Sequence, residues 1–224
     1  MSMSAPNPQT KPQGRAKDSP TKQRIRDTAR ALFNTHGYGN VTIARLAEAL
    51  GMAEGNLWYH YQTKKALVLA VQRDFADRCQ TDFRIAERDD PVAAYTQYLR
   101  AWRGLLDDFR FLFIDGGAYG SFVEDVGYDL PAGMRDTVRL NHRLLEGLDR
   151  AGHVHDTDAN LRDRAEHALV LMTFYLPWVT MSAPAEQAEA ATARDAVEQH
   201  LIVLEGLVKT PVLARIREGL ASPG

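Results

Sequence analysis

The stretch AEGNLWYHYQTKKAL, residues 53–67, gathers the side chains with the most chemistry to offer in this chain. Trp58, Tyr59, His60 and Tyr61 are consecutive, and Lys64 and Lys65 follow at once. On a helix successive residues step round by about 100°, so one buried face cannot hold all four rings. Ala53, Leu57 and Tyr61 share a face and are expected to pack inward, which leaves Asn56, Trp58, Tyr59 and His60 directed outward. Asn and His side chains hydrogen-bond base edges, and aromatic rings reach phosphates or thymine methyls. Gly55, one turn before Tyr59, permits close backbone approach. Thr63 has the character of a helix N-cap, so both lysines fall in a first turn, where the dipole disfavours a cation by about 0.3–1 kcal/mol. A phosphate would more than offset that penalty, because free N–H groups at a helix start with Lys64 beside them form a phosphate clamp.

The elements that must position these groups read clearly from the residues before them. Ser19-Pro20 opens a helix whose apolar stripe is Ile25, Ala29, Leu32 and Phe33, and Gly37 ends it. Thr42 caps a second, short helix with the stripe Ile43, Leu46, Ala47 and Leu50. Val41 and Leu46 have the spacing of a hydrophobic staple around that cap, and Gly51 is its stop. After a turn of roughly three residues a third helix runs from Ala53 or Glu54 to Tyr61. Two short helices joined by such a turn are the helix-turn-helix pattern. Arg45 lies on the first of the two, within reach of a neighbouring groove edge.

Residues 19–67 resemble the DNA-binding domain of the TetR family of bacterial transcriptional regulators, on Phe33, Gly37, Tyr38, Thr42, Ile43, Ala47, Gly51, Leu57, Tyr61, Lys64 and Leu67. Trp58 stands where the family usually has Tyr, Ala53 where Ser is common, and Lys65 where Glu is common. The resemblance implies phosphate contacts from Thr42, Trp58, Tyr59 and Lys64, and base or groove contacts from Arg45, Asn56, Tyr59 and His60. It also implies a homodimer on a pseudo-palindromic double-stranded operator, closed by the last two long helices, and a pocket for a small-molecule effector in the body.

The rest of the chain fits that division. Residues 1–18 are polar and Pro-rich and read as a disordered basic arm; 19–67 are the DNA-binding domain, joined by a helix over about 63–87; 68–224 are the ligand-binding and dimerisation domain. Residues 11–75 hold eleven Lys/Arg against five acids, whereas residues 76–224 total −8 and the whole chain −2. An anionic partner is therefore expected at one end only. Helices are predicted over 91–107, from 109 to about 119, and over 131–151, 158–181, 184–207 and 211–220, with no alternating strand pattern, so the chain is all-α. The 158–181 and 184–207 pair is expected to offer Leu161, Ala165, Ala168, Leu169, Met172, Ala188, Ala191, Val197, Leu201 and Leu204 to close helix packing at the interface.

Aromatic residues crowd the centre of the chain, and Pro177 is expected to kink its helix. Trp102, Phe113, Tyr119, His142, Phe174 and Trp178 are the candidate pocket residues, for an apolar or aromatic ligand with few polar anchors. His153-Val154-His155-Asp156 reads as a solvated turn, so no metal is expected. No cofactor or catalytic residue is expected either, because phosphate-loop, nucleophile-elbow and HExxH patterns are missing. Cys79 is the only cysteine, so no intrachain disulfide forms. The lack of an apolar leader or of any long apolar run predicts a cytoplasmic protein without membrane contact. The leading expectation is a ligand-responsive dimeric repressor; the alternative is a DNA-associated helical adaptor whose body binds a protein.

Overall fold

The computed structural model describes residues 19–84, 90–115, 130–155 and 160–222. The expected arm over 1–18, and Tyr119 and Asp156 among the residues singled out above, lie outside them. The described residues are all-α, with two isolated bridges and no strand. None of their helices is long and apolar enough to cross a membrane.

The first three helices form where their caps dictate. α1 (Pro20–His36) begins at Ser19, whose side chain accepts from Lys22 N at 3.3 Å, and Gly37 closes it at φ +77°. α2 (Ile43–Leu50) begins at Thr42, whose hydroxyl accepts from Arg45 N at 3.2 Å, and stops on Gly51 in the left-handed region at φ +62°. α3 (Glu54–His60) follows, and Val41, Leu46 and Leu57 are fully buried between these helices.

α4 (Lys64–Asp82) is shorter than the predicted span to Glu87. Phe83 leaves the helix and packs on Tyr98 and Trp102, with ring centroids 5.8 and 5.2 Å apart. One core joins α1, α2 and α3 to Leu67, Val68 and Val71 of α4 and to Leu105, Phe109 and Phe111 further along the chain. The N-terminal unit is thus seated directly on the body.

The body comprises α5 (Pro91–Asp108), α6 (Arg110–Ile114), α7 (Leu130–Arg150), α8 (Leu161–Ser182), α9 (Ala185–Ala190), α10 (Ala193–Val203) and α11 (Thr210–Ala221). α8 packs on α7 and α10, and α5 on α11, α10 and α7. The predicted single helix over 184–207 is in fact two. Thr192 and Asp195 form a capping box that restarts the chain as α10, and Arg110 Nη1 donates at 2.8 Å to the Ala191 carbonyl left at the break. His153–His155 is not a solvated turn. Val154 bridges Val208, His155 N donates to the Leu207 carbonyl at 3.0 Å, and Lys209 N donates to the His153 carbonyl at 2.9 Å.

A polar network crosses the centre of the body. Tyr95 Oη donates to Asn141 Oδ1 at 2.9 Å and lies 2.7 Å from His200 Nε2, while Asn141 Nδ2 donates to the Ala165 carbonyl at 2.8 Å. All three side chains are fully buried. Buried polar groups of this kind are stable only when partnered, so the network ties α5, α7, α8 and α10 to one another.

Candidate nucleic-acid interface

α3 divides its side chains between two surroundings. Leu57 and Tyr61 are buried, Tyr59 is 86% exposed and Trp58 42% exposed. Asn56 is exposed, His60 is half-buried with its ring edge-on to Tyr59 at 5.4 Å, and nothing lies within 4 Å of where a Gly55 Cβ would sit. Ala53 is exposed, contrary to the expectation that it packs inward. It is the N-cap, with extended backbone at φ −68° and ψ 145°, and so falls outside the helical phase that carries Leu57 and Tyr61 to the core.

The basic candidates are more constrained than their residue types implied. Arg45 is exposed, and its Nη2 donates to His36 Nε2 at 2.8 Å. Thr42 and Thr63 each spend their hydroxyl on a cap, accepting from Arg45 N and from Ala66 N at 2.9 Å. Lys64 is not free beside the start of α4. Its ammonium donates to the Tyr38 carbonyl, lies 3.5 Å from the Gly39 carbonyl, and sits 4.2 Å from the centre of the Tyr38 ring. Desolvation there lowers its pKa.

Two arginines in the basic set face the protein. Arg26 is only 4% exposed; its Nε donates to Asp74 Oδ2 at 2.6 Å, its Nη1 to Tyr61 Oη at 3.2 Å, and its Nη2 to Gln23 Oε1. Burial works against its charge, but hydrogen bonds to Tyr61 and Asp74 outweigh it, so its pKa is raised. Arg24 donates to the Leu50 carbonyl at the end of α2. Both were missed as positioning residues. The signal was present for Arg26, which stands at i, i+3, i+7 with Ala29 and Phe33 on the apolar stripe.

The candidate pocket residues do not converge. Trp102 is buried and Phe113 packs against both cores, whereas His142 lies 3.7 Å from Glu146 on its own helix and Tyr119 is outside the described residues. Tyr98 Oη and Trp102 Nε1 are buried facing each other without a well-formed hydrogen bond to any group. Phe174 and Trp178 are 61% and 63% exposed, whereas Trp102 is buried. With Val170, Leu171 and Met181 they form an exposed apolar stripe on α8, at i, i+1, i+4, i+8, i+11. The faces predicted for dimerisation are the opposite ones: Leu161, Ala165, Ala168, Leu169 and Met172, and Ala191, Val197, Leu201 and Leu204, are buried within the chain's own core. α8 is apolar on several sides, so periodicity alone did not say which stripe faces inward. It runs as one α-helix through Pro177.

Comparison with known proteins divides the chain within α4. Residues 25–71 match the family described as bacterial regulatory proteins, tetR family, and residues 74–216 match the TetR family of bacterial transcriptional repressors. AcnR, an HTH-type transcriptional repressor of Corynebacterium glutamicum, is 36% identical over 95 residues, which are 42% of this chain and 45% of AcnR. The chain therefore matches less than half the length of that relative. A TetR-family transcriptional regulator from Marinobacter aquaeolei VT8 superposes with a TM-score of 0.73 over 90% of this chain and 99% of its own, at 19% identity. An ArpA-like gamma-butyrolactone receptor does so with a TM-score of 0.60 over 90% and 94%, at 18% identity. At such identities the likeness is one of fold.

Proposed function

Because the chain belongs to the TetR family of bacterial transcriptional regulators, we propose that it is a homodimeric repressor that reads a double-stranded DNA operator with α3 and leaves it on binding a small-molecule effector. The observation that carries the DNA reading is the outer face of α3. Tyr59 and Trp58 hold two large rings in solvent over a fully buried Leu57, with Asn56 and His60 alongside. Rings so exposed bury little of their surface within the chain, and beside base edges and phosphates they make contacts. Thr42, Arg45, Gly55 and Lys64 flank that face.

The exposed stripe of Val170, Leu171, Phe174, Trp178 and Met181 supports a second copy of the chain as partner, joined by Ile202 of α10, itself 47% exposed. Contiguous apolar surface of this kind on a soluble domain is the mark of an interaction face. Two-fold pairing sets two α3 helices at a fixed spacing and so implies a pseudo-palindromic site. Support for an effector comes from the buried donors of Tyr98 and Trp102, which lack well-formed acceptors, and from the gamma-butyrolactone receptor among the structural neighbours. An effector works by binding the DNA-free spacing of the α3 helices better than the DNA-bound one. The relatives are a transcriptional repressor and a transcriptional regulator, which does not favour the adaptor reading.

Fluorescence anisotropy with labelled duplex from the intergenic region beside the protein's own gene tests this. Binding should be sequence-selective and fall steeply with salt. No binding at low salt would sink the regulator reading. Lys64→Ala should weaken all duplexes alike, and Asn56→Ala or His60→Ala should change which sequence is preferred.

A further inference from the structure

Resting on the DNA-binding reading above, we propose that Asp115, at the far end of α6, is a positioning residue for the DNA-reading head, acting through Tyr38 and Lys64. Its carboxylate Oδ2 accepts from the Tyr38 backbone N–H at 2.7 Å, across 77 positions of sequence. A bond from N–H to a carboxylate at that length is charge-assisted and stronger than a neutral one. The same residue, Tyr38, offers its carbonyl and its ring to the Lys64 ammonium. One turn residue is thus held from the body on one side and holds the first residue of α4 on the other.

Two further features show that the contact is built into the fold. Gly37 takes φ +77°, and a Cβ there would meet Asp115 Oδ2 at 3.3 Å, so the turn is both shaped and cleared for the carboxylate. α6 is also fastened to α1 at its other end, where Asn34 Oδ1 accepts from Phe111 N at 3.1 Å and Asn34 Nδ2 donates to the Asp108 carbonyl at 2.9 Å. Asp115 itself closes α6, its N–H donating to the Phe111 carbonyl at 2.9 Å. The five-residue α6 is therefore pinned at both ends to the last turn of α1 and the turn after it. That turn leads directly into Thr42 and α2. Asp115 lies outside α3, yet through Tyr38 it sets where Lys64 stands against the phosphates.

The test is a double-mutant cycle in duplex binding with Asp115→Asn and Lys64→Met, using the intergenic duplex and a random-sequence duplex at low salt. Asp115→Asn keeps the shape and removes the charge. It should weaken binding about tenfold, the loss of one charge-assisted hydrogen bond. In the Lys64→Met background the same change should have an effect within about twofold, because the lysine through which it acts is gone. Unchanged affinity in Asp115→Asn, or an equal loss in both backgrounds, would overturn the proposal while wild-type binding leaves the regulator reading intact. A readout without DNA runs alongside. Amide exchange at Tyr38 should quicken about tenfold in Asp115→Asn while amides in α10 keep their rates. Equal rates at Tyr38 would also overturn it. Failure of wild type to bind either duplex would overturn both readings together.

Discussion

Arg26 Nε stands 2.6 Å from Asp74 Oδ2, a polar contact that ties α1 to α4 beside their shared apolar core. Arg26 is the more deeply buried partner, 4% exposed against 21% for Asp74, and it also supports the Tyr61 hydroxyl at the end of α3. Removing Asp74 leaves a buried guanidinium without the carboxylate that its Nε meets. Asp74→Ala should therefore destabilise the protein by about 3 kcal/mol, which thermal denaturation would read as a fall of several degrees. Asp27→Ala, at an exposed position on the same helix, should change stability by less than about 0.5 kcal/mol.

The α8 stripe makes a prediction about assembly. Trp178→Glu puts a charge at the centre of the exposed apolar face without touching the core, so folding should survive. Sedimentation velocity should then show the dimer dissociating at concentrations at least about thirtyfold higher than for wild type. Operator binding should weaken in parallel, since each half-site contact alone is weak. A variant that stays dimeric would remove α8 from the interface.

Acid should unfold the body through His200. Burial pushes its pKa down to about 4, against a hydrogen bond with the Ala168 backbone that works the other way. The folded value lies below the unfolded value near 6.5, so between those two pH values the unfolded chain binds a proton that the folded one refuses. Stability contributed by the neutral ring is complete above about pH 6.5 and is lost as the pH falls through that window, by about 3 kcal/mol at most. Chemical denaturation at pH 7.5, 6 and 5 should show the decline, and His200→Gln should flatten it.

The approach of α11 to α5 leaves no room at Gly219. A Cβ there would lie 2.8 Å from Thr96 Cγ2, and Thr96 cannot swing away easily because its buried hydroxyl donates to the Val92 carbonyl at 2.7 Å. Gly219→Ala, which raises helix propensity, should still destabilise by about 1–3 kcal/mol. The double variant Gly219→Ala/Thr96→Ser, which removes the opposing methyl, should recover part of that loss. Urea titration gives both values.

Where caps and stripes agree, the chain could be read directly. Ser19, Thr42, Gly51, Thr63 and Gly37 mark their helix ends within a residue or so, because each supplies a local hydrogen bond or a positive φ that needs no knowledge of the remainder. The outward set on α3 follows from its phase with Leu57. Reading failed where two stripes compete or where a partner is remote. α8 has apolar residues on both its core face and its outer face, and only packing against α7 and α10 distinguishes Met172 from Phe174. Lys64 seemed a free cation because nothing local reveals that the Tyr38 carbonyl lies beneath it. The stripe position of Arg26 marks it as inward-facing, but nothing local identifies its partner, which is 48 positions away. The break before α10 is legible in the sequence, because Thr192 and Asp195 have capping-box spacing.

The network of Tyr95, Asn141 and His200 bears on how the core of this body can be altered. Sliding any one of its four helices by a single residue, about 1.5 Å, would break bonds 2.7–2.9 Å long and strand polar atoms in a dry interior. The network therefore works as a keel: the apolar core around it can be recut one residue at a time, whereas these three side chains can be exchanged only as a set. A library of core variants should spare them and diversify the apolar residues around them.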